Sequence, residues 1–377
     1  MTSPFVKNLR AELDATVDPE AKAILLAELG CYWARVGEFD ESERIRLDLR
    51  REFGDARSVR VSILVMVLEA LQLYYRELSP SARDRMLRAN LLSKGFHERE
   101  LIAKTSAWMA HIELNGARFD AMLAELRTSI SAWTAGDDAT ECRFSLVFGD
   151  ACLIGGLPAQ SQAWYERARR AANRLGDHAA VGAMTYNRAA LRVARTRYER
   201  LIEDGRRVDI PLLRLDVESA INYQSVARLR SLDHLLTTTK VGLLMIQEDF
   251  ASAIPLIQGL LGSSDVAPRS AQRSLLMADY AASLSAVGKC AEAASNIDSV
   301  IEALPQSIPT DDLCLILRSL CDATSRCNRD AQSGELDSQL RATILRHESI
   351  TSDLRGKLLE FETPVFEKAR GNDLRDH

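Results

Sequence analysis

Aromatic residues are scarce in this chain, and no long apolar run occurs in it. Aromatics make up 6% of the 377 residues, although hydrophobic residues together reach 46%. No run approaches the roughly 20 consecutive apolar residues of a membrane-spanning helix, and residues 1–18 have no apolar core of a signal peptide. The composition therefore predicts a folded protein without membrane insertion or a leader.

Cysteines with the C-x-x-C spacing of redox and zinc motifs are also absent. The chain has an odd number of cysteines, spread over its whole length. That usage is typical of reduced thiols packed inside a cytoplasmic protein, and it gives no disulfide framework. The seven cysteines are at positions 31, 142, 152, 290, 314, 321 and 327.

Enzyme motifs are missing as well. The chain contains no G-x-x-x-x-G-K-[ST] phosphate loop, no G-x-G-x-x-G after a strand, no H-E-x-x-H and no G-x-S-x-G. The six histidines are scattered, and none pairs with another at the spacing of metal ligands. We therefore predict no catalytic residue, no metal site and no cofactor, and we expect that the chain is not an enzyme.

The overall charge gives no drive toward polyanions. The net charge is −5, from 48 basic and 53 acidic residues. A slightly acidic chain has no general attraction for nucleic acids or anionic membranes. Neither end shows a helix-turn-helix pattern or a basic arm, so we predict no nucleic-acid partner.

The most regular stretch is 274–305, which reads as two short amphipathic helices joined by a turn at 288–289. The small residues Ala281 and Ala293 fall where two helices must approach closely, and Pro305 stops the second helix. Larger apolar residues recur around them at helical spacing. These are Met277, Tyr280, Leu284, Ile297 and Val300.

The same pattern appears from residue 23, where Gly30 is the small residue at a helix crossing and Gly37 lies in the turn. Its positions are Leu26, Leu29, Gly30, Trp33, Gly37, Phe39, Ser42 and Leu49. Further hairpins are predicted at 57–92, 100–133, around 148–176 and at 234–263, whereas 178–208 and 211–232 are more irregular. The order of bulky, small and Pro positions resembles the tetratricopeptide repeat of about 34 residues. The resemblance covers about 20–305.

An all-α fold follows from these hairpins. Each has two apolar faces, which only stacked neighbours can bury. The resemblance implies an α-solenoid of TPR-like hairpins that forms a right-handed superhelix with a concave inner surface. We predict a repeat array over 1–305, a capping helix region over 306–335, and a long heptad helix with a charged tail over 336–377.

The last predicted helix has apolar candidates that step by four and three, as in a heptad repeat. They are Leu340, Ile344, His347, Thr351, Leu354, Leu358, Phe361 and Val365. Pro364 is expected to kink or end the helix. Two interpretations stay open: a coiled coil that makes a homodimer through 336–365, or an amphipathic helix packed on the solenoid.

An arginine-rich segment suggests a binding surface. From Glu166 to Arg230 there are 14 Arg and no Lys against 8 acidic residues. Asn187 and Asn222 are 35 residues apart, as are Arg195 and Arg230, so both sets look like equivalent positions of successive first helices. The resemblance places them on the concave side, where Asn can pair with a peptide backbone and Arg with a carboxylate. The candidate groove residues are Asn187, Arg188, Arg192, Arg195, Asn222, Arg228 and Arg230. The alternative is that these arginines lie on outer helix faces and serve solubility.

These observations favour a non-catalytic interaction or sensor module that binds a protein segment or peptide in its groove and relays the bound state in bacterial signalling. A second hypothesis is the regulatory N-terminal part of a diguanylate cyclase, because the ending NDLRDH resembles the helix that leads into such domains, although no GG[DE]EF signature is present. A third is an assembly scaffold or chaperone-like adaptor.

Overall fold

The computed structural model describes residues 3–53, 57–203, 208–231, 233–263, 266–267, 270–305 and 308–373, without the side chains of 77 and 362–373. The described residues form 17 helices and no strand, and 85% of the chain is helical. The helices are α1 Pro4–Ala15, α2 Pro19–Val36, α3 Phe39–Phe53, α4 Val59–Glu77, α5 Ser81–Gly95, α6 Arg99–Asn115, α7 Phe119–Ala132, α8 Asp138–Ile154, α9 Pro158–Leu175, α10 His178–Ile202, α11 Ile210–Ala227, α12 Asp233–Gln247, α13 Phe250–Gly262, α14 Ala271–Ala286, α15 Cys290–Ala303, α16 Thr310–Arg326 and α17 Asp330–Asp373. The all-α prediction is confirmed.

Consecutive helices pack as hairpins, and the first helix of one hairpin packs on the first helix of the next. The hairpins include α2/α3, α4/α5, α6/α7 and α8/α9, and first-helix contacts join α2 to α4 and α6 to α8. Burial reflects this order, since α6 buries 12 of its 17 residues and its partner α7 only 5 of 14. First helices therefore lie between neighbours, while second helices keep one polar face, as in a solenoid.

The chain forms two compact units. The first comprises Met1–Thr185, Asn222–Leu232 and Leu354–His377, and the second comprises Tyr186–Ile221 and Asp233–Asp353. This grouping differs from the predicted divisions at 305 and 335, because α16 packs against α14 inside the second unit. No helix in the described part of the chain combines the length and apolarity needed to cross a bilayer.

Gly30 lies where α2 crosses α3 and α4. A Cβ atom at this position would come within 2.9 Å of Leu68 Cδ2 and 3.1 Å of Ile45 Cγ2. The Ser42 hydroxyl of α3 donates a hydrogen bond to the Gly30 carbonyl oxygen at 3.0 Å, which holds α3 close to α2. The prediction that Gly30 marks a close helix crossing is confirmed.

Gly30→Leu is expected to lower the free energy of unfolding by about 1–3 kcal/mol, because the added side chain overpacks this crossing. The measurement is chemical denaturation of the full chain. Gly259→Leu is the matched control, since Gly259 is an exposed helical glycine with open space around its Cβ position. Equal midpoints for both variants would contradict the close crossing.

Two helices lie where the repeat pattern was expected to be more irregular. Residues 178–202 form the 25-residue helix α10, and α11 follows at Ile210–Ala227. In the second unit, Ala189 and Val193 of α10 share a core cluster with Leu213 and Val217 of α11. The stretches 186–195 and 221–230 were predicted as first helices of successive repeats, and both overlap these helices.

After α11, the backbone packs against the C-terminal end of α2 in the first unit. The Arg230 N–H donates to the Val36 carbonyl oxygen at 2.9 Å, and the Ser231 hydroxyl donates to the Arg35 carbonyl oxygen at 2.6 Å. Gly37 makes this approach possible, because its φ is +87° and a Cβ would lie 2.7 Å from the Ser231 nitrogen. Contacts in the first unit thus join residues about 200 positions apart, beyond those of a simple repeat array.

The long C-terminal helix α17 buries its apolar stripe within the chain. In the second unit, Leu336 and Leu340 belong to the core cluster of α14–α16. In the first unit, Leu354, Leu358 and Phe361 are 0%, 1% and 2% exposed. These residues therefore fit the interpretation of an amphipathic helix packed on its own chain. A homodimer through 336–365 stays a prediction, and it would require these side chains to leave their present contacts.

The end of this helix differs from the prediction in one respect. The helix continues to Asp373, so Pro364 does not end it. The Val365 side chain and the tail residues 374–377 lie outside the described part. Pro255 likewise lies inside a helix, α13.

Candidate functional site

A pocket opens among the first helices of the first unit. Its walls come from α2, α4, α6 and α8, and are completed by Phe5 of α1, Leu175 of α9, Asp177 in the following turn and Ala180 of α10. Its cavity volume is about 50 Å³, which is room for a few water molecules or for one small polar group. We call it the first-helix pocket.

Two ion pairs fix the walls of the first-helix pocket. Arg35 Nη1 lies 2.7 Å from Asp177 Oδ2, and both side chains are about nine-tenths buried. The Lys104 ammonium pairs with the Glu28 carboxylate. Burial opposes the charge on Arg35 and on Lys104, but the neighbouring carboxylates outweigh it and hold both pKa values above their ordinary range. These four charges therefore neutralise one another in pairs.

Arg143 of α8 is the fifth charged residue of the pocket, and it is 5% exposed. Its guanidinium carbon lies 3.6 Å from the centroid of the Trp108 ring. Among the described residues, no carboxylate pairs with Arg143, and its Nη1 atom is buried without a hydrogen-bond partner. A cation–π contact is worth about 0.5–2 kcal/mol, whereas burying an ion costs several kcal/mol. The stacking alone therefore does not compensate the burial of this charge.

Neighbouring titratable groups leave the charge of Arg143 unbalanced. Burial, and then the charge of Arg143, lower the pKa of His111 well below its ordinary value, so His111 is neutral at pH 7. Burial raises the pKa of the Cys31 and Cys142 thiols to about 12, so both stay protonated and unreactive. The pocket lining therefore carries three cations and two carboxylates, a surplus of one positive charge.

Four of the predicted groove residues lie on α10 in the second unit. Arg188 Nη2 donates to Asp216 Oδ1 at 2.8 Å, and Arg192 pairs with the other oxygen of the same buried carboxylate. Arg195 pairs with Glu199 one turn further along α10, at 2.7 Å. Asn187 is not free either. The three arginines are thus engaged by carboxylates of their own unit.

The other three predicted groove residues, in the first unit, are not equivalent to those on α10. Asn222 lies exposed on α11, but that helix ends at Ala227, so Arg228 and Arg230 fall in the turn beyond it. Arg228 has a left-handed backbone with φ of +55°. The 35-residue offset therefore does not relate two successive first helices, and the peptide groove at these seven residues stays a prediction.

The first-helix pocket contains none of the seven predicted residues, and the sequence carried only a faint signal for it. Helix α8 buries 13 of its 17 residues, and Arg143 is the one cation inside the apolar run from Cys142 to Phe148. A charge in such a run indicates a paired core residue or a binding site. Only the packing shows that Glu28, Lys104 and Asp177 line the same pocket.

No cluster of three or more His, Cys, Asp or Glu side chains in the described part of the chain is placed to hold a metal ion. No family model matches the chain, and no curated protein matches it. The resemblance to tetratricopeptide proteins therefore stays a prediction, now accompanied by a helical-hairpin fold of the expected kind.

Proposed function

We propose that the chain is a non-catalytic, TPR-like interaction or sensor module of the cytoplasm. It binds a protein segment or peptide on the face of its first helices and relays the bound state in bacterial signalling. The observation that supports this proposal is the buried Arg143 guanidinium, which has no ionic partner among the described residues and lines a pocket. An unpartnered buried cation is costly in the free protein, so a ligand anion is the natural compensation.

The surface beside the pocket is long enough for a segment of chain. A second concavity, with a volume of about 360 Å³, continues along α2, α4 and α6 and shares Glu28, Leu64 and Lys104 with the pocket. Successive first helices present one continuous face, on which an extended segment can contact several hairpins at once. One side chain of that segment would then enter the first-helix pocket.

The experiment is selection of peptides from a random display library on the immobilised full chain. Binding of the selected peptides is then measured on two variants, Arg143→Met and the double variant Arg195→Glu with Arg230→Glu. We expect Arg143→Met to weaken binding at least about tenfold, and the double variant to bind normally. The reverse result would place the site on the arginine-rich surface, and recovery of no peptide would contradict peptide binding.

A further inference from the structure

We infer that the first-helix pocket takes one carboxylate group on a short stem, with Arg143 as its counter-ion. The inference rests on the proposed function and specifies the chemistry of its site. The carboxylate can belong to a free organic acid or to a side chain of a bound peptide, and the experiment separates these sources.

Charge balance selects a group with a single negative charge. Two pairs in the pocket, Arg35 with Asp177 and Lys104 with Glu28, are already neutral. Arg143 is the remaining charge. A carboxylate neutralises it, whereas a phosphate dianion would leave one negative charge buried and uncompensated, which is strongly unfavourable in a low-dielectric pocket.

Hydrogen-bond donors in the pocket also suit a carboxylate. The guanidinium is planar and pairs with the two oxygens of a carboxylate through parallel N–H donors. The Nη1 atom of Arg143 and the hydroxyl of Thr140 are both buried without a partner among the described residues. Residues three apart on a helix project from the same face, so Thr140 and Arg143 of α8 are placed to donate to one anion.

The remaining lining limits the size of the ligand. Leu64 and Val67 are each 1% exposed and belong to the core of the first unit, and the Trp108 ring lies beneath the guanidinium. With a cavity volume of about 50 Å³, the pocket has room for a carboxylate group on a short stem, such as acetate or the end of an Asp or Glu side chain.

The test is calorimetric titration of the full chain with a panel of short straight-chain monocarboxylates from acetate upward, each with its uncharged amide and its phosphate-ester analogue. We expect at least one acid to bind, and its amide and phosphate analogues to bind at least about tenfold more weakly. Arg143→Met should weaken binding of the acid by about 30-fold or more, because the ligand charge would then be buried without a partner. Absence of binding by every acid, or equal binding of acid and amide, would overturn the inference.

Arg167→Met is the matched control for the arginine. Arg167 of α9 also faces aromatic rings, with its guanidinium carbon 5.5 Å from the Phe144 centroid, but its Nε donates to Glu141 at 2.7 Å. We expect Arg167→Met to lower the melting temperature and to leave acid binding intact. Arg143→Met should leave the melting temperature of the ligand-free chain unchanged or raise it, because it removes a buried, unpaired charge. A decrease as large as that of Arg167→Met would mean that Arg143 is a structural residue, and would contradict the inference.

Competition separates the two sources and the two proposals. If selected peptides carry one required Asp or Glu and a free acid displaces them, the carboxylate belongs to the peptide and both proposals stand. Acids that bind where no peptide is selected would support the carboxylate site and contradict peptide binding. Peptides that need Arg143 but no acidic residue would support the module and overturn the carboxylate inference.

Discussion

Phe361→Ala is expected to lower the free energy of unfolding by about 3–5 kcal/mol, because it empties a packed position in the first unit. The Phe361 ring is 2% exposed and stacks on Phe148, with ring centroids 5.2 Å apart. The same ring also contacts Arg127, whose guanidinium carbon lies 5.1 Å from the Phe361 centroid. The residual cavity would be lined by large, fixed side chains such as Phe148 and Leu358, which cannot collapse into it.

Chemical denaturation of the full chain measures this effect, and Leu359→Ala is its matched control. Leu359 lies on the same helix but is 44% exposed, so we expect a change below about 0.5 kcal/mol. Light scattering on the same samples tests the alternative, in which the apolar face of α17 forms a homodimer. An unchanged stability of Phe361→Ala, together with loss of a dimeric mass, would mean that Phe361 contacts a second copy.

The apolar stripe of α17 shows what spacing can and cannot predict. Steps of four and three residues establish that one face of a helix is apolar, because α-helical geometry fixes which side chains share a face. They do not identify the surface that covers this face. A coiled-coil partner and the chain's own core give the same pattern, so both interpretations were open, and only the burial of Leu354 and Leu358 favours the second.

Hairpins were predictable where local signals define them. Gly30 marks a close crossing and Gly37 marks a helix end through chemistry that acts within a few residues. The repeat pattern is less clear in α10 and α11, but the stretches 186–195 and 221–230 were still predicted as helices, and both overlap helices of the structure. The 35-residue offset failed, because equal spacing in sequence does not require equal places in successive hairpins.

The first-helix pocket was not predictable, because it is assembled from distant positions. Glu28 and Lys104 are 76 residues apart, and Arg35 and Asp177 are 142 apart. Neither pair has a helical spacing that a sequence pattern could reveal. Whether Arg143 has an ionic partner depends on every surrounding helix, and composition contains no such information.

Asp177→Asn is expected to lower the free energy of unfolding by about 3–5 kcal/mol, because it leaves Arg35 as a buried charge without a partner. The Arg35 and Asp177 side chains are 11% and 6% exposed, so solvent screens their pairing weakly. Asparagine is also a good N-cap residue, so the bond from the Ala180 N–H to Asp177 Oδ1, at 3.0 Å, can be kept. The substitution therefore isolates the ion pair from the cap.

Two comparisons in chemical denaturation make the result decisive. Adding Arg35→Met to Asp177→Asn should recover most of the lost stability, because no unpaired charge then remains buried. Glu41→Gln removes the exposed pair of Glu41 with Arg44, whose side chains are 53% and 66% exposed, and should change stability by at most about 1 kcal/mol. No recovery in the double variant would show that Asp177 stabilises the fold through contacts other than this pair.

The same variant tests the charge balance of the first-helix pocket. Asp177→Asn releases a second cation, Arg35, beside Arg143 in the pocket lining. A pocket with two unpaired cations should accept a dianion better, so the affinity of a phosphate ester relative to its carboxylate analogue should rise by at least about tenfold. Calorimetric titration of the folded variant measures this ratio. An unchanged ratio would mean that charge balance does not set the selectivity of the pocket, even if the carboxylate itself still binds at Arg143.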